Sequence, residues 1–208
     1  MSDNYWRQPL AWNRAAARDK VRRRVFCASM ADVFEHHPSL DASRHRLWAL
    51  IEQTPSLDWL LLTKRPQNIA RMIPRSWLDH PQENVWLGTS AESQAWADLR
   101  IPRLVSVPAV VHFVSAEPLL GPLDLMPYLG GEGVNWVIGG GESGAGYRHM
   151  DVEWVRSLIS QCQRKGAAYF HKQGSDRYPG RGQEIDGRVW HDFPAARQVP
   201  LRRAVCEQ

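Results

Sequence analysis

Six short apolar stretches of this chain end in residues that can do acid–base or ionic chemistry. In order, the ends read Ser29-Met-Ala-Asp32, Thr63-Lys-Arg65, Thr89-Ser-Ala-Glu92, Ser115-Ala-Glu-Pro118, Gly140-Gly-Glu-Ser143 and His171-Lys-Gln173. They bring carboxylates (Asp32, Glu92, Glu117, Glu142), cations (Lys64, Arg65, Lys172) and hydroxyls, the ingredients of proton transfer or of a grip on a zwitterionic ligand. A single Thr or Ser closing a strand also serves as a turn former or helix cap. The recurrence, more than any one member, points to a site. For acid–base chemistry without a cofactor, the candidate catalytic groups are Glu142 or Glu117 with Lys64 or Lys172.

The run Gly139-Gly140-Gly141-Glu142-Ser143-Gly144 formally satisfies the G-x-G-x-x-G dinucleotide pattern. That pattern works when its last glycine opens a helix whose N-terminus faces pyrophosphate, whereas here the next helical pattern starts near Asp151. The glycines can still bring backbone amides and Glu142 close to a ligand, or simply turn the chain after a buried strand. Lys64-Arg65 before Pro66 suits a phosphate or carboxylate, or a solvated basic turn. His112 lies among Val110, Val111 and Phe113 and reads as a core histidine. His36 and His37 beside Glu35 lack a third ligand at matching spacing, so no metal site is expected.

The elements that position these ends follow from the apolar pattern. Near-continuous apolar runs at 25–29, 59–63, 84–89, 110–115, 135–139 and 168–172 suit strands buried on both faces. Between them, Leu47, Leu50 and Ile51 form one helical stripe, and Val155, Leu158, Ile159 and Cys162 another, with Asp151 as N-cap and Gly166 as terminator. A helix over 91–100 is expected with Ser90 as its cap and Pro102 limiting it, and Ile69 and Met72 suggest a shorter one after Pro66. Strands alternating with helices predict an α/β protein with a mostly parallel sheet. In such folds ligands bind beyond the carboxyl ends of the strands. The expectation is a single domain: an N-terminal arm over 1–23 pinned by Trp6 and Trp12, a partial β/α barrel over 24–174, and an irregular tail over 175–208. That tail is expected to pack through Val189, Trp190 and Phe193 and to end in a frayed basic segment.

Lys plus Arg number 26 against 22 Asp plus Glu, a formal +4 that favours an anionic partner without amounting to a nucleic-acid signature. The ten tryptophans are scattered and read as packing residues rather than a base-stacking platform. Cys27, Cys162 and Cys206 show no zinc, haem or redox-dithiol spacing, which predicts a reducing, cytoplasmic setting. No apolar run approaches the roughly 18 residues of a membrane span, and no signal-type h-region opens the chain, so no membrane contact is expected.

The chain resembles the phage gene-product thirty-seven/sixty-eight proteins, whose members are similar to radical S-adenosylmethionine enzymes and whose role is largely undefined. The resemblance rests on Pro9-Leu-Ala-Trp12, Val25-Phe-Cys-Ala-Ser-Met-Ala-Asp-Val-Phe34, Leu62-Thr-Lys-Arg-Pro66, Asn84-Val-Trp-Leu-Gly88, Ser115-Ala-Glu-Pro-Leu-Leu-Gly-Pro122, Trp136-Val-Ile-Gly-Gly-Gly-Glu-Ser-Gly144, Phe170-His-Lys-Gln173 and Asp186-Gly-Arg-Val-Trp190. It implies a partial TIM-like (β/α) barrel of about six mostly parallel strands, with Lys64, Glu117, Lys172 and the 140–143 loop on its open face. Gly140, Gly141, Glu142, Ser143, Ser115 and Thr89 would then face a cofactor, with S-adenosylmethionine as the candidate.

Full-length members carry a strand and a cysteine triplet upstream of the Pro-Leu-x-Trp segment, and neither is in this sequence. The expectation is therefore a truncated, start-shifted or degenerate copy, open where the first strand is missing, without an iron–sulfur cluster of its own. Such an edge invites pairing with another chain. The leading expectation is a cluster-less, radical-enzyme-like phage or prophage protein keeping part of a small-molecule site. The alternatives are a nucleic-acid-associated module of a mobile element, suggested by Arg22-Arg-Arg24 and Arg202-Arg203, and a cofactor-independent acid–base enzyme.

Overall fold

The computed structural model describes residues 3–28 and 31–195. Six strands, β1 (Arg23–Cys27), β2 (Leu57–Thr63), β3 (Val85–Ser90), β4 (Val111–Ala116), β5 (Trp136–Gly139) and β6 (Ala168–His171), form one sheet in the order β1-β2-β3-β4-β5-β6. Every pairing is parallel. The sheet curls into half a barrel, an α/β partial TIM-like architecture. The helices are α1 (Asp3–Asp19), α2 (Asp41–Glu52), α3 (Ile69–Met72), α4 (Arg75–Asp79), α5 (Gln94–Val105) and α6 (Val152–Lys165). No helix among the described residues is long and apolar enough to cross a membrane.

The continuous apolar runs are explained by two buried faces. Leu57, Trp59, Leu61, Val85 and Leu87 pack outward with α2 residues Leu47, Trp48 and Ile51, while Val114, Ala116, Val137 and Tyr169 pack with Val155, Leu158 and Cys162 of α6. The alternate residues Leu60, Trp86, Phe113, Trp136 and Ile138 fill the concave face. Gly88 makes this filling possible, because a Cβ there would stand 2.3 Å from the Phe113 ring. Trp136 is the hub, 5.7 Å from Trp86 edge-on and 5.6 Å from Phe113. Aromatic pairs of this kind contribute about 0.5–1.5 kcal/mol each beyond burial.

Helix α6 is capped as its sequence implies: the Asp151 side chain accepts from the Glu153 amide at 2.9 Å, and Gly166 ends it at φ 68°. Three expectations change. The N-terminal arm is the 17-residue helix α1, docked by Ala16, by half-buried Trp6 and by Asn13, which accepts from the Ser56 amide at 2.8 Å; Trp12 stays exposed. Helix α5 begins after Ser93, because Ser90 still belongs to β3, and it runs past Pro102 to Val105. The tail is not wholly irregular, since β7 (Glu184–Ile185) and β8 (Arg188–Val189) pair antiparallel.

Beyond β8 the chain covers the edge of β6. The His171 amide donates to Trp190 O at 2.7 Å and the Asp192 amide to Tyr169 O at 3.0 Å. Phe193 then lies 5.3 Å from Trp136, with the Arg24 guanidinium of β1 3.6 Å from its centroid, so the tail reaches across the opening of the half-barrel. Trp190 and Phe193 therefore make the expected contacts, whereas Val189 is exposed. Ser29, Met30, Cys206 and Arg202-Arg203 lie outside the described residues.

Candidate functional site

The polar strand ends converge on one face, and each carboxylate there is paired. Asp32 accepts from Thr63 Oγ1 (2.7 Å), the Phe34 amide (2.9 Å), the Lys64 amide (3.1 Å) and the Arg65 guanidinium (3.0 Å). Four donors on two oxygens make it a clamp between the β1 and β2 loops.

Next along the sheet come two Lys–Glu pairs. Lys64 Nζ lies 2.9 Å from Glu92 Oε1, whose other oxygen accepts from Arg100 at 3.0 Å. Lys172 Nζ lies 3.2 Å from Glu117 Oε1, and Ser115 Oγ donates to the other oxygen at 3.2 Å. The glutamate side chains are largely buried (12% and 18% exposed) and the lysines open (60% and 57%). Strand order therefore lays out a lysine after β2, a glutamate after β3, a glutamate after β4 and a lysine after β6. Burial alone raises the Glu92 carboxyl, but the hydrogen bond from Lys64 and the charges of Lys64 and Arg100 outweigh it and hold it below the usual carboxylate range.

Gly140, between Glu117 and Lys172, allows their pairing across β5. A Cβ on Gly140 would stand 2.8 Å from Glu117 Oε1. Gly141 has a different reason, since its Cβ would meet the Ser175 backbone nitrogen at 2.4 Å. The glycine loop is in fact zipped to the segment after β6. The Gly141 amide donates to Gln173 O at 2.9 Å, the Gly144 amide to Asp176 O at 3.1 Å, and Ser143 bridges Asp176. The next helix starts at Val152, so the loop does not present a helix N-terminus to a pyrophosphate.

Glu142 accepts from Arg148 Nε and a terminal guanidinium nitrogen, both at 2.8 Å, and from the Arg148 amide at 2.9 Å. These bonds, first the side-chain ones, pull its carboxyl down to about 2. Thr89 Oγ1, fully buried, donates to Thr63 O at 2.8 Å. His112 is a core histidine, with Nε2 2.7 Å from Val107 O, and desolvation pulls its pKa down. His171 is also buried, against Gly182 O at 3.1 Å.

Sequence reasoning did not find Arg100 or Arg148, the partners that neutralise Glu92 and Glu142. Arg148 lies six positions from Glu142, close enough for an opposite-charge search to have found it. Arg100 sits inside α5, and nothing in its spacing marks it. The apolar floor below the lysines was also missed: Ile138 is buried, Leu62 and Phe170 are half-buried, and Phe26 of β1, on the same face as Arg24, is exposed.

The described cysteines do not fit an iron–sulfur cluster. Cys27 packs on the β1–β3 side and Cys162 in the α6 core on the β4–β6 side, and burial pushes both thiols up to about 12. The strand ends instead offer ammonium and carboxylate groups in fixed order along the sheet. Fold and face together define a half-barrel α/β protein with a charge-paired strand-end site. The chain belongs to the family described as "Protein of unknown function (DUF5131)", whose model matches residues 1–194. No curated protein and no solved structure matches it.

Proposed function

We propose that the strand-end face binds a small zwitterionic ligand with an apolar or heteroaromatic body. The observation that carries this reading is the order Lys64, Glu92, Glu117, Lys172 along the sheet, with the acids largely buried and the ammonium groups open. A ligand ammonium would be met by Glu92 and Glu117 and a ligand carboxylate by Lys64 or Lys172, each through charge-assisted hydrogen bonds. Its body would lie on the exposed Phe26 and the half-buried Leu62, beside Phe170, whose ring is already stacked on His191.

S-adenosylmethionine belongs to this ligand class, which agrees with the resemblance to radical S-adenosylmethionine-like phage and prophage proteins. When bound, that cofactor supplies a sulfonium-activated group. In this reading the protein is a cytoplasmic ligand-binding relative of those enzymes. Gly140 acts by leaving room for Glu117, while Thr89, Ser115, Gly141 and Ser143 shape the face through their own bonds.

Thermal-shift titration with S-adenosylmethionine and with methionine tests the reading. A saturable rise in melting temperature that is lost in Lys64→Ala and Lys172→Ala is expected. No shift with either compound at millimolar concentration would sink it. The nucleic-acid alternative loses support from its first arginine cluster, because Arg22 pairs with Asp58 at 2.6 Å, Arg23 with Asp19 at 2.8 Å, and Arg24 lies over Phe193.

A further inference from the structure

A cleft lies outside the strand-end face, with a volume of about 350 Å³ and a lining of His36, Asp41, Arg44, His45, Arg71 and Met72. Two guanidinium groups and two imidazoles face one carboxylate. The walls come from three elements: the loop after β1, the first turns of α2, and α3. They are tied together on all sides. The Trp48 indole of α2 donates to Met72 O at 3.0 Å, and the Asn68 side-chain Nδ2 donates to Phe34 O at 2.8 Å. Arg44, only 7% exposed, donates from Nε to Val33 O at 2.9 Å, and from its terminal nitrogens to Glu35 O at 2.8 Å and Asp41 Oδ1 at 2.6 Å.

Those three bonds hold the Arg44 guanidinium rigid while leaving one N–H on each terminal nitrogen, since the group carries five. Arg71 is anchored on Asn68 Oδ1 by one terminal nitrogen, and the rest of its fork has no partner among the described residues. His45 turns Nδ1 to Asp41 O at 2.8 Å, which leaves Nε2 for another partner. One guanidinium held rigid at Arg44 and a second, exposed one anchored by a single bond at Arg71, both with unused donors, suit a tetrahedral dianion that can take bonds from two sides. The volume exceeds that of a bare ion and lies at the low end of the range of small-ligand sites. Met72 adds an apolar flank for the body that bears the anion.

We infer that this cleft is an anion site for the phosphate monoester of a small molecule, held by Arg44 and Arg71 with the histidines beside them. Calorimetric titration and amide chemical-shift mapping with inorganic phosphate, against sodium chloride at matched ionic strength, test it. Saturable binding is expected, with shifts confined to 33–45 and 68–72. Arg44 also supports the fold, so Arg71→Gln is the clean variant. It should weaken phosphate binding about tenfold, the scale of one charge-assisted bond, while leaving the melting temperature of the free protein in place. Asp41→Asn should tighten binding by removing the competing carboxylate.

An equal response to matched chloride, shifts spread elsewhere, or unchanged affinity in Arg71→Gln would each overturn the inference. So would duplex DNA binding that Arg71→Gln abolishes while inorganic phosphate gives no saturable signal. None of these outcomes bears on Lys64 or Lys172, so this site and the zwitterion site stand or fall separately.

Discussion

The glycine loop over 139–144 and the Lys64–Glu92–Glu117–Lys172 arc lie on the same face of the sheet, but their chemistry is opposite. In the loop, the Gly141 and Gly144 amides and the Glu142 carboxylate are already held by the protein itself. In the arc, largely buried carboxylates hold lysines that remain more than half exposed and can change partners. A glycine-rich motif therefore marks tight chain packing here, and ligand capacity lies with the flanking side chains.

Adjacent glycines give the sharpest way to break this comparison. Gly141→Ala drives a Cβ into Ser175 and Gly174 backbone and should destabilise the fold by about 2–3 kcal/mol, read as a shifted urea midpoint. Gly140→Ala meets only the movable end of Glu117. It should change stability by less than about 1 kcal/mol while displacing Glu117 from Lys172. If the arc binds a zwitterion, Gly140→Ala loses the thermal shift with S-adenosylmethionine. An intact shift in that variant would mean the Glu117–Lys172 pair is not part of the site.

Lys172→Ala removes the cation of a partly buried acid. Because the lysine is mostly solvated, the expected stability loss is about 0.5–1 kcal/mol, with a larger proportional loss of ligand affinity. Glu142→Gln should have the smallest effect at neutral pH. With a folded-state carboxyl near 2, below its unfolded value, Glu142 contributes stability above the unfolded pKa and loses it as pH falls towards 2. The variant's stability should therefore converge on that of the parent across that acid window. A gap that widened with acidification would contradict the Arg148 pairing. Phosphate binding at the 36–72 cleft should be unaffected by every one of these four substitutions.

Much of the fold was legible because buried parallel strands are written as apolar runs and α6 carries both an Asp cap and a terminating glycine. All six strands fall on predicted runs, shifted by a residue or two at their ends. Helix α1 was missed because Pro9 and two tryptophans, Trp6 and Trp12, mask its pattern, and its stability comes from docking on α2 and the sheet. The β6 edge cover was missed because residues 190–192 carry no strand pattern. Their pairing depends on where the tail folds back.

The site was legible to a similar degree. The polar strand ends could be named from sequence because parallel sheets put their loops on one face, and residue type shows which loops are polar. Which glutamate meets which lysine, and that Glu92 also meets Arg100, followed only once the chain was folded, because the Lys–Glu contacts depend on spacing across the sheet rather than along the chain. The same reason hides the cleft between Arg44 and Arg71. The sequence alone determined where the strands lie along the chain and that they are buried, through continuous runs of apolar residues. The tertiary structure decided which charges are left free, because that depends on partners brought from distant strands and helices.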